Sequence, residues 1–291
     1  MAPFKRNHEV PKALIGNWRS TPARGEPVWV FDIRRQKIYQ STSVGSSAFK
    51  FAIIPNRYVV RLPRRRATDV EKWLGASEGA VARFIRGLEL QISRHLAVLE
   101  AIPVAYGLIG LGFRSAYTLE TWMKGLRDPQ IQTRIGRVPK NEDDARKLVL
   151  ENLINIVDRR VTRLLPPRFE ILRGLGSNVL LSDQAALVTA DDAGELYVPL
   201  APRAVVCICR GVRPEVVITD ASPLASRSLV ENLNELIVQS ARRWVVARTH
   251  DQLERVAPHL TSDAVGRRAV ERERVAVEPL TERDRWWTLK D

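Results

Sequence analysis

Residues 141–172 read NEDDARKLVLENLINIVDRRVTRLLPPRFEIL, two periodicities separated by a pair of prolines. Leu148, Leu150, Leu153, Ile154, Ile156, Val157 and Val161 recur at helical steps and predict a helix from Asn141 to Leu165. Its acidic opening, Asn-Glu-Asp-Asp, suits the positive end of a helix dipole. Pro166-Pro167 stops it. Beyond the prolines, Arg168-Phe-Glu-Ile-Leu172 changes to the pattern of a strand. Helices lead up to this junction and strands leave it, which predicts an α+β chain rather than an alternating parallel α/β one.

Working outward from the junction, the C-terminal side continues as strands. Asn178–Leu181, Leu196–Val198, Arg203–Cys209 and Glu215–Ile218 are short apolar stretches, and Asp191-Asp192-Ala193-Gly194 is a turn signal. A helix follows, capped by Ser222 or Ser226 and running to about Arg242. Then come a strand at Trp244–Ala247 and a short helix at Asp251–Val256. On the N-terminal side, Tyr106–Leu126 and Glu78–Leu99 are helical. Ser77 is placed to cap the latter, and Thr68 with Glu71 makes a capping box for an earlier one. Asp128–Lys140 reads as a basic loop. Before residue 68 the chain returns to strands. Val28–Ile33 and Lys37–Gln40 form a hairpin turned by Arg34, Arg35 and Gln36, and Phe49–Ile54 and Tyr58–Leu62 add short apolar stretches. The expected fold is one α+β domain over residues 1–260: N-terminal strands (1–67), a helical middle segment (68–167), and C-terminal strands and helix (168–260). A mainly antiparallel sheet is drawn from both ends. Residues 261–291 are a charged tail ending in Trp286-Trp287.

Composition narrows the class. Hydrophobic residues make up 45% of the 291, enough for a sizeable core. The longest apolar run, Ala101–Phe113, is broken by Pro103 and three glycines, well short of the roughly 20 residues that span a bilayer. The first residues lack the apolar stretch of a secretory signal, so a cytoplasmic protein is expected. Cys207 and Cys209 lie on one strand and share a face, a reading of half a metal site set against that of two small core residues. Net charge is +13 and lopsided. Residues 1–100 hold 18 Lys and Arg against 8 Asp and Glu, a net +10; residues 101–291 hold 28 against 25, a net +3. A concentrated positive field attracts nucleic acid, anionic lipid or an acidic protein. The chain has no Walker loop, dinucleotide fingerprint, Gly-x-Ser-x-Gly or His-Glu-x-x-His. Arg173-Gly-Leu-Gly-Ser177 reads as a plain turn rather than a phosphate loop.

An ordered succession of short motifs runs through residues 8–250. It comprises His8-Glu-Val-Pro11 with Leu14 and Trp18, Trp29-Val-Phe-Asp32 with Arg34, Glu78 on an early helix, and Leu180-Leu-Ser-Asp183. Pro199-Leu-Ala-Pro202 and Leu233-Asn234 with Ala241-Arg242 complete it. In this order the chain resembles the bacterial family called domain of unknown function 4238. It departs from the family where Ser-Asp is followed by Gln184-Ala185 in place of Asn-Pro. The resemblance implies no activity.

At the matching positions stand His8, Asp32, Glu78, Ser182, Asp183 and Asn234, all of chemistry-capable type. If some converge, His, Asp and Glu are suited to a divalent metal, and a metal in basic surroundings suits phosphodiester hydrolysis. The structural alternative has each residue hold its own neighbourhood, with His8 as a terminal clamp, Asp32 as a hairpin cap, Ser182 and Asp183 as strand-end caps and Asn234 bonded to backbone. Arg34, Arg35, Arg64, Arg65, Arg66 and Arg114 are the candidates for phosphate contacts. The first functional reading is a nucleic-acid-binding protein with possible metal-dependent nuclease activity. The alternatives are a non-enzymatic protein-interaction module and a hydrolase for a small anionic substrate.

Overall fold

The computed structural model describes residues 6–21, 23, 25–45, 48–55, 69–88, 94–136, 138–188, 196–222 and 226–261. In chain order the elements are β1 (Arg6–His8), α1 (Lys12–Ile15), β2 (Val28–Asp32), β3 (Lys37–Ser41), β4 (Ile53–Pro55), α2 (Asp69–Leu88), β5 (Arg94–His95), α3 (Val98–Leu111), α4 (Ala116–Gly125) and α5 (Pro129–Ile135). They continue as α6 (Glu142–Arg163), β6 (Pro167–Arg173), β7 (Leu181–Ser182), β8 (Leu187–Val188), β9 (Leu196–Ala201), β10 (Ala204–Arg210), β11 (Glu215–Asp220), α7 (Ser226–Ser240), β12 (Trp244–Ala247) and α8 (His250–Val256). The α+β class and the helical middle are as expected.

The strands form more than one sheet. The chain ends meet in a fully antiparallel four-stranded sheet ordered β3-β2-β12-β7. A six-stranded sheet, β5-β11-β6-β10-β9-β8, comes from residues 167–220 plus β5. Within it β11 runs parallel to β6, because the β10–β11 connection passes over the start of β6 and delivers β11 to its far side. β1 and β4 make a separate ribbon.

Period two divides the strand residues between two cores. Val28 and Val30 of β2, Val206 and Ile208 of β10, and Trp244 and Val246 of β12 face a large core shared with α2, α3, α4 and α6. Phe31, Val205, Val245 and Ala247 face the other way, onto α7 and α8. Covered on both faces, β12 has four buried residues in succession, as a two-faced strand requires.

Several local expectations change. Ser77 is a buried residue inside the continuous α2, not the cap of a second helix. The stretch expected to be helical from Glu78 to Leu99 ends at Leu88, and β5 intervenes before α3. Tyr106–Leu126 divides into α3 and α4 at Ser115, whose hydroxyl accepts from the Thr118 peptide N–H at 3.1 Å. Within the supposed basic loop, Asp128 caps α5 by accepting from the Gln130 N–H at 2.8 Å, and Pro129 supplies the pre-set first turn. The strand expected at Asn178–Leu181 shrinks to Leu181–Ser182. The Thr68 cap, Tyr58–Leu62, the Asp191–Gly194 turn and Trp286-Trp287 lie outside the described residues. Among those described, no helix is long and apolar enough to cross a membrane. Cys207 and Cys209 stand on β10 without a disulfide, the first buried and the second half-buried.

Candidate functional site

β1 ends at His8, and the chain turns inward with Glu9, which is 1% exposed. The Glu9 peptide N–H donates to the Ala52 carbonyl at 3.0 Å. Its carboxylate accepts from the Arg243 guanidinium and from the Trp244 indole N–H at 3.3 Å. A buried carboxylate needs such donors, since an uncompensated charge is costly out of water. The Glu9 carbonyl in turn accepts from Arg114 Nε at 2.7 Å, and Arg114 Nη1 donates to Glu78 Oε1 at 2.7 Å. On the other side, Asp183 Oδ1 accepts from the peptide N–H groups of Arg242 and Arg243, at 3.0 and 3.2 Å. These contacts join Glu78 on α2, Arg114 before α4, Glu9 after β1, Arg243 before β12 and Asp183 after β7. The resulting polar network runs between elements far apart in the chain.

His8 adjoins this network. Burial chiefly holds its imidazole below the ordinary histidine range, with Lys12 and Arg114 adding repulsion, while a hydrogen bond to the Ala48 backbone and the Glu78 charge oppose them. Its Nε2 is buried and has no hydrogen-bond partner. The bond to the Ala48 backbone therefore belongs to Nδ1, and in the neutral ring the lone pair stays on Nε2. Asp183 is shifted upward. Burial is the larger effect, and the backbone N–H groups of residues 242–244 and the Arg243 charge only partly offset it. Its Oδ2 is also buried without a partner.

Of the residues singled out from sequence, His8, Glu78, Arg114 and Asp183 thus come to one region. Asp32 Oδ1 accepts from the Arg35 N–H at 2.9 Å, the hairpin cap of the structural alternative. Ser182 Oγ accepts from the Gln184 N–H at 3.2 Å, a strand-end cap. Asn234 binds backbone through both ends of its amide, accepting from Leu180 N–H at 2.7 Å and donating to the Asn178 carbonyl at 3.1 Å. Gln184, next but one to Ser182, donates from Nε2 to Ser115 Oγ at 2.6 Å. Arg114 corrects an expectation: it is 2% exposed and cannot lie against a phosphate, because its guanidinium is committed to Glu9 and Glu78. Arg34 and Arg35 are exposed on the β2–β3 turn, and Arg64, Arg65 and Arg66 lie outside the described residues.

Sequence reading passed over Glu9 and Arg243. Glu9 stands inside His8-Glu-Val-Pro11 and Arg243 directly follows Ala241-Arg242, so adjacency to both motifs was the signal that could have found them.

Among the described residues His8 and Glu78 belong to no group of three ligand-type side chains. The one such group is His250, Asp251 and Glu254 on the exposed turn of α8, where His250 packs edge-on against Trp29 at 4.9 Å. A cleft of about 170 Å³ lined by Met123, Arg127, Gln132 and Glu142 contains none of the residues singled out from sequence. Compared with known proteins, the chain matches no family model, no curated protein and no solved structure.

Proposed function

We propose that this chain binds nucleic acid through phosphate contacts made by the basic surface of its first hundred residues, and that the buried network is a latch that holds the fold. One observation carries the binding half. Of the residues up to 100 whose side chains are described, Lys12, Arg34, Arg35, Lys37, Lys50, Arg83 and Arg86 are exposed, whereas among the acids Glu9, Glu26, Asp32, Glu78 and Glu100 just Glu100 is. These cations stand on several elements and turns, a distribution suited to backbone contacts rather than base readout. The latch half follows from geometry, because Asp32, Ser182, Asp183, Asn234, Arg114 and Glu9 each have a polar partner that fixes backbone or an ion pair. The resemblance to domain of unknown function 4238 belongs to the same proposal and rests on motif order alone.

A second reading is favoured by His8. Its imidazole is held below the ordinary histidine range and its Nε2 has no hydrogen-bond partner, which is the chemistry of a general base. In that reading the protein hydrolyses a phosphodiester or a smaller anionic substrate, and His8 takes a proton from the attacking water once local opening admits one to its buried Nε2.

Incubation of the purified protein with single- and double-stranded DNA and RNA, in Mg²⁺, Mn²⁺ or EDTA, separates the readings. Retention of intact nucleic acid supports binding with a structural latch. Cleavage that disappears in His8→Ala supports the second. No retention and no cleavage at about 150 mM salt, where the Debye length is about 8 Å, overturns nucleic acid as partner or substrate and favours a protein-interaction module.

A further inference from the structure

The chain has two cysteines, Cys207 and Cys209, two positions apart on β10. Period two sends Val206 and Ile208 into the large core and both thiols to the opposite face of the six-stranded sheet. Neither cysteine is among the residues of the two cores. Strand register fixes their neighbours on that face. Glu170 of β6 and Tyr197 of β9 stand across from Cys207, and Arg168 of β6 stands across from Cys209.

This face is polar and partly open to solvent. Arg168 pairs with Glu170 at 2.8 Å and with Glu215 at 3.6 Å, and the Arg168 and Glu170 side chains are 37% and 42% exposed. Cys209 is half-buried and Cys207 lies deeper, at 9% exposed. Cysteines that serve as small apolar filling belong against a core; these two line a face that carries ion pairs. The Cys209 thiol donates to the Arg168 carbonyl at 3.8 Å, a weak bond for a metal–sulfur bond to replace.

The chemistry of the pair selects its ligand. Two strand rises separate the Cα atoms by about 6.8 Å, at the far limit of what a disulfide bridges. The side chains can instead lean along the strand toward one ion between them. Among the described residues neither cysteine belongs to a group of three ligand-type side chains, whereas a structural zinc site asks for four ligands. A soft monovalent ion that is satisfied by two thiolates fits the pair. We infer that Cys207 and Cys209 bind one Cu(I) in two-coordinate S–Cu–S geometry. Each thiol releases its proton to solvent as the ion binds, and no electron is transferred. The inference is independent of nucleic-acid binding, which draws on other residues.

Anaerobic titration of the reduced full chain with Cu(I), against bicinchoninate as a coloured competitor, tests it. One Cu(I) per chain should leave the competitor, with a sulfur-to-copper charge-transfer band in the ultraviolet. Cys207→Ser and Cys209→Ser should each lower the affinity by more than the roughly 10–100-fold that losing an outer-shell partner costs. The thermal midpoints of the metal-free variants report their fold. Zn(II) should bind far more weakly, because two thiolates leave half of its tetrahedral shell to water. In the unmutated chain Cu(I) should protect both thiols from iodoacetamide, counted by mass. Alkylation undiminished by the ion overturns the inference even where a variant fails to fold. Cu(I) that stays with the competitor overturns it, as does a serine variant that binds like the wild type. Half an equivalent of Cu(I) together with a dimer in light scattering overturns it in favour of a site shared by two copies of this chain. Zn(II) bound as tightly as Cu(I) overturns it in favour of a larger ligand set.

Discussion

The Glu9–Arg243 pair shows how unequal two partners of one ion pair can be. Glu9 is closed from solvent, whereas the Arg243 side chain is 36% exposed. Removing Arg243 strands a buried carboxylate; removing the Glu9 charge leaves a guanidinium that water can reach. Arg243→Ala should therefore cost about 3 kcal/mol or more, the range for breaking a buried pair. Glu9→Gln, which keeps an acceptor for the Trp244 indole, should cost clearly less. Urea unfolding midpoints of the two variants check the order, and equal losses would show that Arg243 is as desolvated as its partner. His8 supplies a pH test at the same scale. Its folded pKa is depressed below 6.5, chiefly by burial. The unfolded chain then binds a proton more readily as pH falls through and below that value, so the contribution of His8 to stability is present above it and lost below. His8→Gln should show a flatter dependence of unfolding free energy on pH there. Asp183 has the opposite sign. Its folded pKa is raised above 3.8, so its contribution is present below that value and declines as pH rises through the folded pKa. Asp183→Asn should remove that decline, and the pH dependence of unfolding again reads it.

Among the elements, α6 is the one whose sequence and structure agree most closely. Asn141 Oδ1 accepts from the Asp144 N–H at 2.9 Å, acidic residues fill the first turn and arginines the last. Leu153 is 0% exposed in the large core. Leu153→Ala should cost about 2–5 kcal/mol, measured as a shift in the unfolding midpoint; an unchanged midpoint would contradict its burial. The α2–α3 crossing depends on absent atoms instead. A Cβ at Gly107 would meet Val81 Cγ2 at 2.4 Å and the Ser77 carbonyl oxygen at 2.7 Å. Gly107→Ala, favourable for an isolated helix, should destabilise the protein by about 1–3 kcal/mol because the helices must move apart. Helical periodicity cannot reveal this, since it records which face is apolar and not how near the neighbouring backbone lies. The same blindness explains the division of Glu78–Leu99. Leu88 and Leu96 keep the helical step, but residues 94–95 gain backbone bonds to β11, an edge that the local sequence does not contain.

At the scale of the molecule, the proposed nucleic-acid contact is a matter of summed charge. Arg34 and Arg35 on the β2–β3 turn and Lys37 at the start of β3 are exposed. If each meets a phosphate, Arg34→Ala with Arg35→Ala and Lys37→Ala should flatten the slope of log K against log salt on duplex DNA by about 2–3, at roughly 0.9 per contact. Affinity should fall by a similar amount for unrelated sequences. A slope equal to that of the wild type would remove this turn from the interface.

Local properties were legible along the chain. The hairpin at Val28–Gln40, the capped helix from Asn141, the strands at Arg168–Leu172 and Glu215–Ile218 and the charge asymmetry all depend on neighbours a few residues away, where period, turn chemistry and capping act. The candidate site was legible only in part. His8, Glu78 and Asp183 could be selected by residue type, but so could Asp32 and Asn234, whose side chains bind nearby backbone instead. Type and spacing do not distinguish a carboxylate that caps its own turn from one that meets an arginine across the molecule. The Glu9–Arg243 bond spans 234 positions and the Arg114–Glu9 bond spans 105. Such pairings arise when the helical middle and the two-faced sheets close over one another and every buried charge must find a donor or acceptor. Tertiary packing alone decided those partners, and with them the burial of Arg114 and the unpartnered, buried Nε2 of His8.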